Sequence, residues 1–164
     1  MRSILGLLSM CFRFPLARRV KVRGWSMQPT LSEGEYLLFD RLGFSRRPLR
    51  KGEIVLAYHP MDRRFLLIKR VLAVPGEEVV ARDGDILVNG RPWTPPAALP
   101  GPIPVPEEFS HVLGPDEYFL MGDNPSRSTD SRQLGPFSVH QIKARAWLVY
   151  WPLSRWRILH IEDV

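Results

Sequence analysis

The sequence predicts a mainly β protein: one domain of short antiparallel strands joined by tight turns. Three observations carry that prediction. Short apolar stretches rich in Val, Ile, Leu and aromatic residues recur along the chain, separated by Gly, Pro, Asn and Asp. Two separators, Asp83-Gly84 and Asn89-Gly90, are dipeptides that close two-residue hairpins, where both positions need positive φ. With 164 residues, 45% of them hydrophobic, the chain is long enough for one real core and shows no internal repeat or domain boundary.

Taken in order, residues 1–19 stand apart. Ile4, Leu7, Leu8, Cys11 and Phe12 follow helical spacing, and Arg2, Arg13, Arg18, Arg19, Lys21 and Arg23 surround or follow them. The run is cut at Arg13 and closed by Pro15, short of the about 20 apolar residues that a bilayer-spanning helix needs. FRFPLARR offers no small-residue cleavage site of a secretory signal. The expectation is a basic amphipathic segment at a membrane interface, with surface contact through residues 1–23. Residues 20–164 form the β domain, with strands at VKVR, YLLFD, EIVLAY, FLLIKRVLAV, EVVA, DILV, EYFLM, ARAWLVYW and WRILHI. EVVARDGDILVNGRPW reads as a small meander. PWTPPAALPGPIPVP, residues 92–106, lacks the N–H groups a ladder requires and is expected as an extended, PPII-like surface connection.

Composition narrows the chemistry. The single cysteine, Cys11, excludes an internal disulfide framework. His59, His111, His140 and His160 lack the close spacing of a metal site, so no metal and no cofactor is expected. The formal charge of +6 suits an anionic lipid surface, nucleic acid or simple solubility, and does not choose among them.

Catalytic candidates come from three segments. GWSMQPTL, residues 24–31, puts Ser26 in a Gly- and Pro-bounded turn, where a hydroxyl ordinarily bonds backbone. As a nucleophile it would need a proton acceptor beside it. The G-x-S-x-G elbow fails because Gln28 stands at the second glycine. A Ser-His-Asp triad stays open, although no histidine has a recognisable context. FLLIKRVLAV offers Lys69, which strand alternation places in a row with Phe65, Leu67, Val71 and Ala73. Burial among apolar groups lowers a lysine pKa by about 3 to 5 units from its ordinary value of about 10.4, giving a free base near neutrality. The plainer reading is a strand-edge lysine that discourages aggregation or snorkels to water. GDNPSRSTDSRQLG, residues 122–135, fails as an EF-hand loop: Pro125 and Arg127 take two ligand positions and Ser128 replaces the glycine. It is dense in groups able to orient an amine and brace one another.

Together, GWSMQPTL, LLIKRVLAVPGEEV and GDNPSRSTDSRQLG resemble the type I signal peptidase family, Ser/Lys endopeptidases that remove leader peptides. The likeness continues through GEYLLFDR, KGEIVLAYHP, GDILVNGRP and QIKARAWLVYWP, from about Val20 to Pro152. It implies the family's β-rich catalytic core. It also implies Ser26 as nucleophile and Lys69 as general base, with Ser128 orienting the amine. Asp130 and Arg132 would brace the loop, helped by Asp123 and Asn124. Met27 would pack beneath the nucleophile, and Ile68 corresponds to a substrate-pocket position. The implied partners are precursor proteins carrying a leader peptide, and the implied place is a membrane surface with the site on the extracytoplasmic side.

Two departures accompany the resemblance. Some members carry an oxyanion-binding serine two residues before the nucleophile, where this chain has Gly24. The membrane-spanning anchor is also missing, as in small relatives that mature nickel superoxide dismutase; a dedicated maturation protease of that kind, cytoplasmic in place, is the alternative within the class. Outside it stands a basic β module binding nucleic acid or anionic lipid. Only WRILHI with its flanking tryptophans and arginines approaches the basic-aromatic interleaving such a module needs, so no nucleic acid is expected. Self-cleaving SOS-type repressors share the dyad, but about twenty residues ahead of the core are too few for their DNA-binding domain.

Overall fold

The structure, a computed structural model, describes residues 17–40, 47–95 and 103–159. The apolar N-terminal stretch and residues 96–102 of the Pro-rich connection lie outside these. The described chain is built of antiparallel strands in two sheets.

The larger sheet contains β1 (Arg18–Lys21), β2 (Tyr36–Asp40), β3 (Ile54–His59), β4 (Asp62–Ala73), β9 (Glu117–Met121), β10 (Phe137–Ser138) and β11 (Ile142–Trp151). Its strand order is β1-β2-β11-β3-β4-β9-β10, and β12 (Arg157–Ile158) pairs with β11. The smaller sheet runs β7-β6-β5-β8, from β5 (Glu78–Arg82), β6 (Asp85–Val88), β7 (Arg91–Pro92) and β8 (Phe109–Val112). Here the predicted turns appear: Asp83 and Gly84 take φ of 54° and 82°, Asn89 and Gly90 50° and 74°. β1 begins at Arg18, so the first strand takes in two residues that the sequence reading gave to the N-terminal segment.

Burial follows strand position. Central strands β3 and β11 are buried at four of six and six of ten residues, because neighbours cover both edges and side chains pack on both faces. One core cluster gathers Met27, Leu31, Leu37, Phe39, Ile54 and Leu56. A second, including Val55, Ala57, Val71, Leu120 and Phe137, forms where β3, β4 and β9 meet the chain after β9. A third joins the smaller sheet to the larger through Leu72, Phe119 and Met121. Both described ends of the Pro-rich connection are tied down. Trp93 is buried, Ile103 and Val105 pack on the third cluster, and the Ile103 N–H donates to the Gly84 carbonyl.

Candidate active site

Lys69 lies near the middle of β4, paired with Val55 of β3 on one side, while β4 pairs with β9 on the other. Directly opposed residues of an antiparallel pair share a face, so Lys69 stands among Val55, Leu67 and Val71, all in one apolar cluster. This corrects the predicted row. Phe65 is 61% exposed, and a register shift between Val71 and Ala73 takes Ala73 out of the alternation. Lys69 is nonetheless 3% exposed. Desolvation pulls its pKa from 10.5 down to about 8. Asp130 pulls it back up, Arg132 adds to the fall, and Asp123 opposes it.

Those two carboxylates do not clamp the amine, because each is already occupied. Asp123 receives Nε and Nη2 of Arg70, at 2.8 and 2.7 Å, in a fully buried bidentate pair, and Nη1 donates to the Gly52 carbonyl. Asp130 accepts from the Ser128 hydroxyl at 2.6 Å, the Gly122 N–H at 3.1 Å and Arg132 through Nε and Nη2. It also caps the short helix α1 (Ser131–Leu134) in a capping box closed by Gln133. Arg132, with no exposed side-chain surface, donates in addition to the carbonyls of Pro125, Ser128 and Pro104. With each acid matched by an arginine, desolvation dominates what Lys69 experiences.

Gly122 is where the segments converge. Continuing the Arg70↔Met121 pairing by one residue sets Gly122 beside Lys69. A Cβ on Gly122 would overlap Ser128 Oγ and the Ser26 carbonyl oxygen, and would lie 2.7 Å from Ser128 Cβ. The missing side chain is therefore the space through which the nucleophile turn and the serine loop approach the lysine strand. The Ser26 carbonyl accepts the Asn124 N–H at 3.0 Å, joining the two loops directly. Ser26 itself is half-buried, held by turn bonds from Gln28 N–H to Trp25 and from Leu31 N–H to Met27. Met27 is buried in the first core cluster, and Ile68, half-buried, packs against that same cluster. Gly24 has φ of +78° with open space around it, so backbone conformation, not crowding, favours glycine there.

Sequence reasoning thus named most of this constellation and missed three parts. Arg70 passed unnoticed beside Lys69, although an arginine next to a buried lysine has to find its own carboxylate. Gly122 carries no signal in the sequence beyond opening GDNPSRSTDSRQLG. The Pro104 carbonyl, 28 residues from Arg132, had no local signal at all. Neither Ser26 Oγ nor Lys69 Nζ makes a hydrogen bond among the described residues, so the expected Ser128-to-amine bond is not formed in this structure. The Ser128 proton goes to Asp130, leaving that hydroxyl only lone pairs, which suit an amine donor.

The fold and site define a β-rich domain in which a serine turn and a buried, unclamped lysine meet around one carboxylate brace. The chain belongs to the signal peptidase family, peptidase S26, whose profile matches residues 2–151. It is 32% identical over 142 residues to a probable signal peptidase I-2 of Synechocystis sp., covering 79% of this chain and 61% of that protein. With the probable thylakoidal processing peptidase 2 of Arabidopsis thaliana it shares 31% over 166 residues, 96% of this chain and 44% of the relative. With signal peptidase IB of Staphylococcus aureus it shares 28% over 152 residues, 83% and 78% respectively. The chain thus spans about half to two thirds of the length of the Synechocystis and Arabidopsis relatives. The crystal structure of a signal peptidase I from Enterococcus faecalis superposes with a TM-score of 0.49 at 21% identity, covering 60% of this chain and 97% of that one.

Proposed function

We propose that this protein is a serine endopeptidase that removes N-terminal leader peptides from precursor proteins, with Ser26 as nucleophile and Lys69 as general base. The observation that carries the reading is the buried lysine whose neighbouring carboxylates are both held by arginines. With a pKa of about 8, roughly one Lys69 in ten is the free amine at pH 7, against about one in a few thousand for an exposed lysine. The free amine takes the Ser26 proton as Oγ attacks the scissile carbonyl, and the ammonium so formed returns a proton to the leaving amine. Transfer needs the hydroxyl within about 2.6–3.2 Å of the nitrogen, a contact that commonly tightens only when substrate binds.

Asp130 takes the Ser128 proton and so leaves that hydroxyl's lone pairs for a Lys69 donor once substrate binds, Arg132 holds Asp130, and Asp123 with Asn124 fixes the loop against β4 and the Ser26 turn. Developing charge on the carbonyl oxygen falls to backbone donors, since Gly24 brings no hydroxyl. The Ser26 N–H, which donates to nothing among the described residues, is one such donor. Ile68, above the cluster that holds Met27, borders the pocket for a small side chain beside the scissile bond. The substrates are leader-bearing precursors met at a membrane surface. The exposed Trp151, Leu153 and Trp156 support that placement together with the basic residues 1–23; no helix among the described residues is long and apolar enough to cross a bilayer.

The test is incubation of the protein with a panel of secretory and nickel-enzyme precursors, with mass spectrometry of the new N-termini. Cleavage by wild type and by His59→Ala, lost in Ser26→Ala and Lys69→Ala, is the expected result. Full activity in Lys69→Ala would remove the mechanism.

A further inference from the structure

The guanidinium of Arg127 lies 4.6 Å from the centre of the Trp25 ring, a cation–π stack. Each partner is chain-adjacent to a residue of the candidate site: Trp25 precedes Ser26, and Arg127 precedes Ser128. The stack therefore bridges the nucleophile turn and the serine loop beside the candidate site. It is also solvent-facing, with Trp25 48% exposed and Arg127 exposed. Arginines elsewhere on the fold, Arg70, Arg132, Arg145, Arg155 and Arg157, each pair with a carboxylate. Arg127 does not: among the described residues no acid forms an ion pair with it, nor with exposed Arg23 two residues before Trp25.

A guanidinium stacked on an indole uses its face and keeps its N–H edges for an acceptor. The ring also restricts the side chain, so less freedom is lost when a carboxylate arrives. A peptide whose scissile carbonyl reaches Ser26 Oγ advances about 3.3 Å per residue in extended form, so residues one or two from the cleaved bond come within reach of a stack built on the residues flanking Ser26 and Ser128.

We infer that the Trp25–Arg127 stack is a specificity element selecting an acidic side chain within two residues of the scissile bond, at a position not taken by the small side chains beside it. The inference rests on the leader-peptidase reading and names a substrate class within it. The carboxylate accepts from Arg127, Trp25 holds the guanidinium in place, and Arg23 adds to the cationic field.

The experiment measures kcat/KM for synthetic peptides spanning one leader junction, identical except for Glu, Gln or Lys at each of the two residues on either side of the cleaved bond. For wild type the Glu-to-Lys ratio at one position is expected to be about three- to fivefold, as for a rim ion pair, expressed in KM more than kcat. The ratio falls toward unity in Arg127→Gln, inverts in Arg127→Glu, and weakens in Trp25→Ala and in about 0.5 M salt. Equal ratios in wild type and Arg127→Gln overturn the specificity role and leave the peptidase reading standing. Failure of wild type to cleave any member of the set, with Ser26→Ala as the blank, overturns both.

Discussion

Replacing Lys69 by Met separates the two consequences of burying an amine. In the folded protein its pKa is about 8, against an ordinary 10.5 for the unfolded chain. At about 1.4 kcal/mol per pH unit that difference corresponds to roughly 3 kcal/mol. The sign follows from proton binding. Between pH 8 and 10.5 the unfolded state holds the proton that the folded state has released, so wild-type stability rises with pH across that window. The penalty is fully present below pH 8 and gone above 10.5. Lys69→Met, close in volume and uncharged, is therefore expected to be more stable than wild type by up to about 3 kcal/mol at pH 6, with the advantage vanishing by about pH 10.5. The same substitution abolishes cleavage. Urea denaturation of both proteins at the two pH values reads the stability, and wild-type kcat/KM against pH should rise to a plateau through a midpoint near 8. Equal or lower stability of Lys69→Met at pH 6, with a flat wild-type profile between pH 7 and 9, would refute a lysine held by desolvation.

Other consequences follow from the same contacts. Gly122→Ala drives a methyl into Ser128 and the Ser26 carbonyl; displacing them by about 1 Å should lower kcat/KM by about a hundredfold or more, with the far-ultraviolet spectrum unchanged. Asp130→Asn removes the charge that most opposes the fall in the Lys69 pKa. Its pH–rate midpoint should therefore move below that of wild type while the maximal rate drops, which a pH profile of the variant checks. Asp123→Ala leaves Arg70 buried without its carboxylate and should cost about 3–5 kcal/mol in a denaturant melt, whereas mutation of the exposed Asp62–Arg64 pair should leave the melt almost unchanged.

Much of this was legible locally. Strand identity came from apolar runs and turn dipeptides because both are nearest-neighbour effects: Asp83-Gly84 turned as expected since few other pairs accept two positive φ values. β8 and β10 were not anticipated. FSHV alternates only weakly and Phe137-Ser138 is two residues long, so each is a strand by virtue of its partner, β5 or β9. Ser26, Lys69, Ser128 and Asp130 stand out as candidates through residue type and motif, which survive in one dimension.

The sequence by itself determined which groups could do the chemistry: a serine in a constrained turn, a lysine in an apolar run and a loop crowded with donors and acceptors. Only the tertiary structure decided that the lysine is left unclamped, because that depends on Arg70 taking Asp123 across 53 residues and on Arg132, itself held by donation to a carbonyl of the Pro-rich connection, occupying Asp130. It also decided where the segments meet, at a glycine whose importance lies in the side chain it lacks. Charge balance in a low-dielectric interior is a property of distances between remote residues, and no periodicity or motif in a linear chain encodes those distances.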